Sequence, residues 1–562
     1  MPLFKKSSKS PDLFKCLLEP TGIYKNQAIQ GRMQLLNKIA VQLQQIKLTN
    51  HEKEIFNLLM QVVKNKSPGT VLRVAGGWIR DKLMGRESHD IDISINNMSG
   101  EKFAYLVKDY MDENGIETGS VTVVKDNPNQ SKHLATAMIK VLGSAIDFVN
   151  LRKETYADPS SRIPTTEPGT PEEDASRRDL TINALFYNIN EGKVEDLVGG
   201  LKDLKAGLAR TPIDPVQTFL DDPLRILRTI RFATKYNLKV EPALIEAARL
   251  PEVQQAFRQK VSVERVWQEL AGQQEEEGWK IGFMTGPDPA RAAALLKETG
   301  LRDMLFELTQ EELDKIPGLK EFGPDQKMVS YDLEQKSPHH DLTIWGHTLK
   351  TLEHLVKEET TPEQREATED FLVRNVATLL HDIGKRYSGT RHTTEQGTMT
   401  YQNHAKSSGA IAEYILKNKL NAPKAVVKRI KLLIENHMAI HQLNEQSSDK
   451  ALRRVIKKLE QDWRNAIDMA VADRYGKKEL LKEEQIQKLQ ALKQRFIALV
   501  NAMGGSTTPK RPLTGDDVIK ILGLTTGGPL VGQALAALDK ALLANPNMSK
   551  EEAVALIQGF NQ

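Results

Sequence analysis

One cysteine, Cys16, stands in a chain of 562 residues. That scarcity excludes a disulfide framework and any cysteine-built zinc site, and it fits a reducing compartment such as the cytoplasm. No apolar run approaches the roughly 20 residues that a membrane-spanning helix needs, so no membrane is expected as a partner. An excess of one charge is missing too: 78 basic and 74 acidic residues leave a net +4. Composition therefore does not announce nucleic-acid binding, and any basic surface must be local. The opening MPLFKKSSKSPDLFK is basic and serine-bearing but lacks the apolar core of a secretory signal. The start is either an organelle-targeting segment or a frayed tail, and the early Asp12 and Glu19 favour the tail. The length exceeds one core and predicts about three to five domains. A charged fraction of 27% with a mean hydropathy of −0.44 places them in soluble, globular protein.

What is present concentrates first in residues 76–92, where Gly76 and Gly77 lead into Arg80-Asp81 and then Asp90-Ile91-Asp92. Alternate side chains of a strand share a face, so Asp90 and Asp92 point the same way. Two neighbouring hard oxygen ligands suit Mg²⁺, which is commonly held by carboxylates and substrate phosphates. The glycine pair leaves room for a triphosphate to approach backbone N–H groups. Either motif alone is usually a turn or a solvated strand end. In this order they read as metal-dependent nucleotidyl transfer.

Periodicity predicts a helix over 31–66, carried by Leu35, Leu36, Ile39, Ala40 and Leu43. Strands are expected over 71–75, 91–95, 121–124, 136–141 and 146–149, a helix over 101–113, and a loop over 157–175. Beyond 176 the chain reads as largely helical, with helices over 178–187, 222–236, 242–249, 262–275 and 289–297. A connection over 318–342 precedes a second all-helical block at 343–499, a linker at 500–513 and a small helical tail.

The glycine pair and the Asp-x-Asp resemble the head of the nucleotidyltransferase superfamily, in particular the class II tRNA nucleotidyltransferase (CCA-adding) and poly(A) polymerase family. Asp147, in Ala-Ile-Asp-Phe-Val-Asn-Leu-Arg, is either a third catalytic carboxylate or a strand-end partner of Arg152. Arg177-Arg178-Asp179 with Asn183 is either helix-start electrostatics or the family's second motif. The resemblance implies that the basic groups hold triphosphate and that Asp179 and Asn183 fix the sugar. Asp196 to Asp203 is similar to the third motif, a hinge-like turn, and Ser262-Val-Glu264-Arg265 to the last one, with a structural role.

Asp221-Asp222-Pro-Leu-Arg225-Ile-Leu-Arg228-Thr-Ile-Arg231 carries base selection in that family, whose version begins Glu-Asp. A carboxylate and a guanidinium three residues apart share one helix face, and the plain reading is an intrahelical ion pair. The functional reading has Asp222 accepting from the exocyclic amine of C or A while Arg225 donates to the adjacent ring nitrogen. Gly76, Gly77, Arg80, Arg178, Asp179, Asn183, Asp222, Arg225, Arg228 and Arg231 make up the expected nucleotide site. His89-Asp-Ile-Asp, Asn97-Met-Ser-Gly, Gln130-Ser-Lys-His and Phe219-Leu-Asp-Asp-Pro resemble the eukaryotic-type CCA-adding branch more than bacterial poly(A) polymerase. The resemblance covers roughly residues 50–275.

A second chemistry lies in His347, His381-Asp382-Ile-Gly-Lys385, His404, His437 and Asp473. Histidine and aspartate are standard ligands of hydrolytic metal sites. The order resembles the HD-domain metal-dependent phosphohydrolase superfamily. By position, His347, His381, Asp382 and Asp473 would bind a divalent transition metal or Mg²⁺. His404 and His437 would bind a second metal or phosphate, and Lys385 would face the phosphate; His392 and His441 are weaker candidates. Such a domain accompanies several bacterial CCA-adding enzymes and implies 2′,3′-cyclic phosphodiesterase or phosphatase activity. Its union with a eukaryotic-type head is unusual.

The expected fold is α+β: a nucleotidyltransferase head with a small mixed sheet, followed by all-α neck, body, HD and tail domains. The expected division is an N-terminal extension at 1–50, head at 51–175, neck at 176–275, connector at 276–342, HD domain at 343–499 and tail at 500–562. The Gly-rich turn before Pro529 either offers N–H groups to an RNA phosphate or is an ordinary helix–turn–helix element. The basic stretches 424–431 and 450–458 either contact phosphates or form solvated helix faces. The function implied is template-independent addition of CCA to tRNA from CTP and ATP, with Mg²⁺. Rivals are a poly(A) polymerase, a C-only or A-only enzyme, and a non-catalytic RNA-binding protein.

Overall fold

The computed structural model describes residues 46–88, 90–124, 136–156, 163–275, 278–322, 327–335, 342–357, 368–476 and 483–559. They fall into two compact units: one takes residues up to Thr229 plus Tyr236–Lys260, the other Ile230–Lys235 plus everything from Val261 onward. The predicted helix positions 31–45, His89 and the 130–134 motif lie outside the described residues.

The first unit is built on a seven-stranded mixed sheet. Its strands are β1 (Leu72–Ala75), β2 (Ile91–Ile95), β3 (Thr122–Val124), β4 (Thr136–Val141) and β5 (Ser144–Asn150), followed after the separate hairpin β6 (Arg152–Thr155) and β7 (Thr165–Pro168) by β8 (Phe186–Asn188) and β9 (Lys193–Glu195). The order is β3-β4-β5-β2-β1-β8-β9. Only β2 and β5 run parallel. Alternation of Ile91, Ile93 and Ile95 with polar residues buries one face of β2 and leaves Asp92 on the other. The helix Asn50–Lys66 starts at Thr49, where Thr49 and Glu52 form a reciprocal cap. Residues 46–49 are not helical, so the predicted helix is not continuous into Asn50.

Three predicted elements differ. The helix expected over 178–187 is a single 3₁₀ turn, Thr181–Asn183, leading into β8. Tertiary pairing wins there: β1 has an open edge, and β8 closes it with Val74 opposite Tyr187. The loop expected over 157–175 contains β7 and the helix Pro171–Ser176, started by a Thr170–Glu173 capping box with proline in its first turn. The helix expected over 262–275 stops at Ala271, because Gly272 takes φ +78° and turns the chain into a hairpin with 278–281.

Among its described residues the second unit is helical apart from that hairpin and a small one, Arg391–Thr393 with Met399–Tyr401, inside the block expected to be all-helical. Its central helices are Ile344–Lys357, Glu369–Leu380, His404–Tyr414, Lys424–His441 and Trp463–Tyr475. Glu483–Ala502 carries the helix slightly into the predicted linker. The tail helices Gly515–Ile521, Pro529–Leu542 and Lys550–Gln558 enclose a core of Leu513, Val518, Ala534, Leu538 and Ile557. No helix among the described residues is long and apolar enough to cross a membrane.

Candidate active sites

The parallel β2–β5 pair sets Asp92 directly opposite Asp147, and Asp90 immediately precedes β2 on the same face as Asp92. One oxygen from each of the three carboxylates lies within 4.8 Å of the others. Burial, then the negative charge of Asp90, pushes the Asp147 carboxyl above its usual range. Arg152 does not resolve this repulsion, for its Nε lies 3.7 Å from Glu154. A clustered negative charge of this kind is what a divalent cation neutralises.

Gly76 adopts φ +75°, and a Cβ there would sit 2.9 Å from Arg178 Nη1, so the turn and the second motif are in contact. Its N–H donates to Leu185 O at 3.1 Å, which commits one of the two backbone donors expected to meet a triphosphate. Arg80 is buried, lies over the Tyr236 ring at 4.4 Å, and donates to Asp81 and to Asn183 Oδ1. Asn183 Nδ2 donates to Asp179 Oδ1 at 2.9 Å, and Arg228 Nε to Asp179 Oδ2 at 2.7 Å. Burial opposes ionisation of Asp179, yet the Arg228 charge holds its carboxyl below the ordinary range. These four residues form one chain of charge-assisted bonds.

Asp174 and Glu154 belong to this site, although sequence reasoning passed over both. The two oxygens of buried Asp174 accept separately from Arg177 at 2.7 Å and Arg178 at 2.8 Å. Glu154 accepts from Arg177 Nη1 at 3.0 Å and from the Tyr156 hydroxyl at 3.0 Å. The capping box at Thr170 was the available signal for Asp174, since it announces a helix whose acidic residues face a following Arg-Arg.

Asp222 and Arg225 do not share a helix face. The helix Pro215–Asp221 ends there because Pro223 forces its predecessor out of the helical region, and Asp222 takes φ −139°, ψ 98°. Asp222 Oδ1 accepts the Leu224 N–H at 3.2 Å, and Arg225 opens the next helix, Arg225–Lys235. The buried Arg225 guanidinium donates to Arg177 O at 2.7 Å and Thr218 O at 3.4 Å. Arg231, on the same helix but within the second unit, pairs with Glu269 at 2.6 Å.

The second unit gathers its histidines as the sequence order suggested. His347, His381, Asp382 and Asp473 form one group of converging ligand atoms, and Asp382, His404 and His437 form another. Asp382 belongs to both. Four imidazoles are oriented in one way: Nδ1 of His381 lies 2.7 Å from Thr378 O, that of His404 2.9 Å from Tyr401 O, that of His437 2.6 Å from Ile434 O and that of His347 3.1 Å from Gly476 O. A carbonyl only accepts, so each Nδ1 carries a hydrogen and each Nε2 is the ring atom turned toward the cluster. Buried His381 Nε2 lies 3.4 Å from both Asp382 Oδ2 and Asp473 Oδ1, and Asp382 Oδ1 lies 3.6 Å from His404 Nε2, so these atoms converge at distances longer than good hydrogen bonds.

Burial disfavours charge on His381, but Asp382 and Asp473 override it and raise its pKa to about 10. Burial, reinforced by the Lys385 charge, lowers His404 to about 4, and burial with the neighbouring imidazoles takes His437 well below its usual value. Burial opposes ionisation of Asp382 and Asp473, yet their basic neighbours hold both far below the ordinary range. A cavity of buried carboxylates that draws a proton onto His381 is one that a dication fits. Lys385 reaches Asp382 Oδ2 at 2.7 Å. His441 also joins the site, 2.8 Å from Asp473 Oδ2, whereas His392 is exposed on the hairpin.

The basic stretches knit the fold. Arg429 pairs with Asp462 and Glu369, each at 2.7 Å, and Lys457 pairs with Asp539 at 3.0 Å. The Pro529 helix belongs to a packed helical tail with its own core.

A sheet carrying converging carboxylates beside a glycine turn is an arrangement suited to a divalent metal and a triphosphate. Residues 72–210 match the family described as "Poly A polymerase head domain", a family whose enzymes work with divalent metals. The chain is 44% identical over 283 residues to the protein named "CCA tRNA nucleotidyltransferase, mitochondrial" of Candida glabrata, covering 48% of this chain and 51% of the relative. It is 45% identical over 273 residues to the protein of the same name from Saccharomyces cerevisiae, covering 46% and 48%. The chain thus spans about half the length of these curated relatives. The solved CCA-adding enzyme of Bacillus stearothermophilus in complex with CTP aligns with a TM-score of 0.55 at 19% identity, over 92% of this chain and 98% of that one, which is a likeness of fold.

Proposed function

We propose that this protein is a tRNA nucleotidyltransferase that builds or repairs the 3′-terminal CCA from CTP and ATP, without a nucleic-acid template. The observation that carries this reading is the Asp90–Asp92–Asp147 cluster, in a chain that over about half its length shares over 40% identity with proteins named CCA tRNA nucleotidyltransferase. Asp90 and Asp92, with Asp147, would hold Mg²⁺, which when bound lowers the pKa of an attacking 3′-hydroxyl and neutralises charge at the triphosphate. The chain's own part is positional. Asp174 holds Arg177 and Arg178 beside the glycine turn, where a triphosphate would lie. Asp222 supplies an acceptor and Arg225 a donor for the base edge, a pairing that suits C and A and rejects U and G. Asp222 is held by its own turn and Arg225 by backbone carbonyls, so the pair is preorganised by the chain rather than by a helix face.

The test is extension of a tRNA that lacks its CCA end, with CTP, ATP or both. Two C's with CTP and one further A with ATP support the reading. A long A ladder supports a poly(A) polymerase, a partial product a C-only or A-only enzyme, and no turnover a non-catalytic RNA-binding protein. The double variant Asp222→Ala with Arg225→Ala is expected to reduce discrimination against UTP and GTP by about tenfold or more while transfer continues, because a bidentate base contact contributes about 1–3 kcal/mol. Competition between the four nucleotides in the extension assay reads this directly, and unchanged C/A selectivity would end the base-pairing idea.

The paired clusters around Asp382 favour a second activity. We infer metal-dependent hydrolysis of a phosphoester at an RNA 3′ end, such as a 2′,3′-cyclic phosphate, with Mg²⁺ or a transition metal held by His347, His381, Asp382 and Asp473. His404 and His437, with the shared Asp382, would hold a second ion or orient the phosphate. Clearing damaged ends before CCA addition would join the two activities. The cytoplasm is the compartment we propose, from the scarcity of cysteine, and imaging of a tagged chain tests it.

A further inference from the structure

Gln335 is fully buried, on a strap of chain laid along the HD motif. Val329 N–H donates to Arg386 O at 2.8 Å, Ser388 N–H donates to Lys327 O at 2.9 Å, and Met328 bridges to Tyr387. At the end of the strap, the Tyr401 hydroxyl donates to the Gln335 carbonyl at 3.1 Å. The Gln335 side-chain oxygen accepts from Lys385 Nζ at 3.2 Å, and the same Nζ reaches Asp382 Oδ2 at 2.7 Å. One ammonium group therefore links the glutamine to the carboxylate that both ligand groups share.

That contact settles which end of the amide is which. An ammonium only donates, so the atom facing Lys385 is the oxygen. The other end, Nε2, is a buried donor with no hydrogen-bond partner in the structure. A stranded buried donor costs stability, and such groups persist where a ligand supplies the acceptor.

We propose that Gln335 Nε2 is a substrate-binding donor of the hydrolytic site and takes a phosphate oxygen of a ribonucleotide phosphoester held against the metal cluster. The inference rests on the hydrolytic reading of that site. Beside Lys385, a neutral amide recognises an anionic oxygen without adding a second buried cation, which would compete with the metal. It also gives the site a contact that depends on the position of the phosphate and not on the ion.

The test uses the full chain loaded with Mn²⁺. Inorganic phosphate is titrated by calorimetry, 2′,3′-cyclic AMP serves as substrate, and metal content is measured alongside. Gln335→Glu keeps an oxygen for Lys385 but replaces the donor with an acceptor; Gln335→Met removes both. In each variant phosphate binding is expected to weaken about tenfold or more, the loss of a hydrogen bond to a charged group. KM for the cyclic nucleotide should rise by a similar factor, with kcat within about threefold and metal content unchanged. Phosphate binding in Gln335→Glu equal to that of the parent would overturn the proposal, leaving Gln335 a strut for Lys385. Loss of metal together with phosphate would overturn it too. If the parent binds metal and phosphate but hydrolyses no phosphoester, while Gln335→Glu loses phosphate, the donor role stands and the hydrolytic reading fails.

Discussion

Asp92→Ala is expected to slow CMP and AMP incorporation by at least about a thousandfold, since in the proposed reading the three carboxylates would hold the ion on which phosphoryl transfer depends. Asp92 is the critical member because the β2–β5 register sets it against Asp147, with Asp90 beside it on the same face. Without it two carboxylates remain, one ligand fewer for the ion. Asp92→Asn should do nearly the same, as it keeps the shape and removes the charge. Binding of tRNA should stay within about threefold, because phosphate contacts by basic side chains dominate such affinity. The fold should survive: Asp92 is not fully buried, and the cluster is a site of repulsion rather than a source of stability. Single-turnover extension with a gel-shift control measures both. Incorporation above about a tenth of the parent rate would remove the carboxylates from the mechanism.

Asp382→Asn is expected to remove hydrolysis and metal binding together while CCA addition continues at the parent rate. Asp382 is the residue common to both ligand groups, and it lies in a different compact unit from Asp90 and Asp92. Its oxygen also holds Lys385, so loss of charge leaves a buried ammonium poorly compensated. Breaking a buried pair costs about 3–5 kcal/mol, so a lower Tm should accompany the loss. His437→Ala provides the contrast. It touches only the second group, and should cut bound metal or phosphate there while the first group still loads. Metal analysis of the parent and the two variants should thus fall in the order parent, His437→Ala, Asp382→Asn. Full metal content in Asp382→Asn would mean that the two groups do not share this ligand.

Much of this was readable without coordinates, and the failures have physical causes. Strand alternation at Ile91–Ile95 and the one-residue spacing of Asp90 and Asp92 are local facts, so the carboxylate pair was legible. The third carboxylate, Asp147, needed a parallel partner strand more than 50 residues away, which no local pattern specifies. Residues 178–187 have apolar spacing that suits a helix, but the open edge of β1 claims Phe186–Asn188 for the sheet. At Asp222 the signal was in plain view: Pro223 breaks the helix that the i, i+3 argument assumed. The histidine block was legible because few other arrangements need these residue types together. Its inward-facing Nε2 atoms were not, since they depend on backbone carbonyls that carry no residue identity.

Those carbonyls have a consequence for how the block can be moved or lost. Three of the four imidazoles are aimed by a carbonyl three residues earlier in the chain: Thr378 for His381, Tyr401 for His404 and Ile434 for His437. Their tautomers travel with their own short segments, so a graft of this block onto another scaffold would arrive with those ligands already aimed. His347 alone takes its orientation from afar, at Gly476, where a Cβ would press to 2.4 Å from its Nδ1. That glycine is the keystone of the block's portability: a single methyl group there would leave three ligands in place and turn the fourth away.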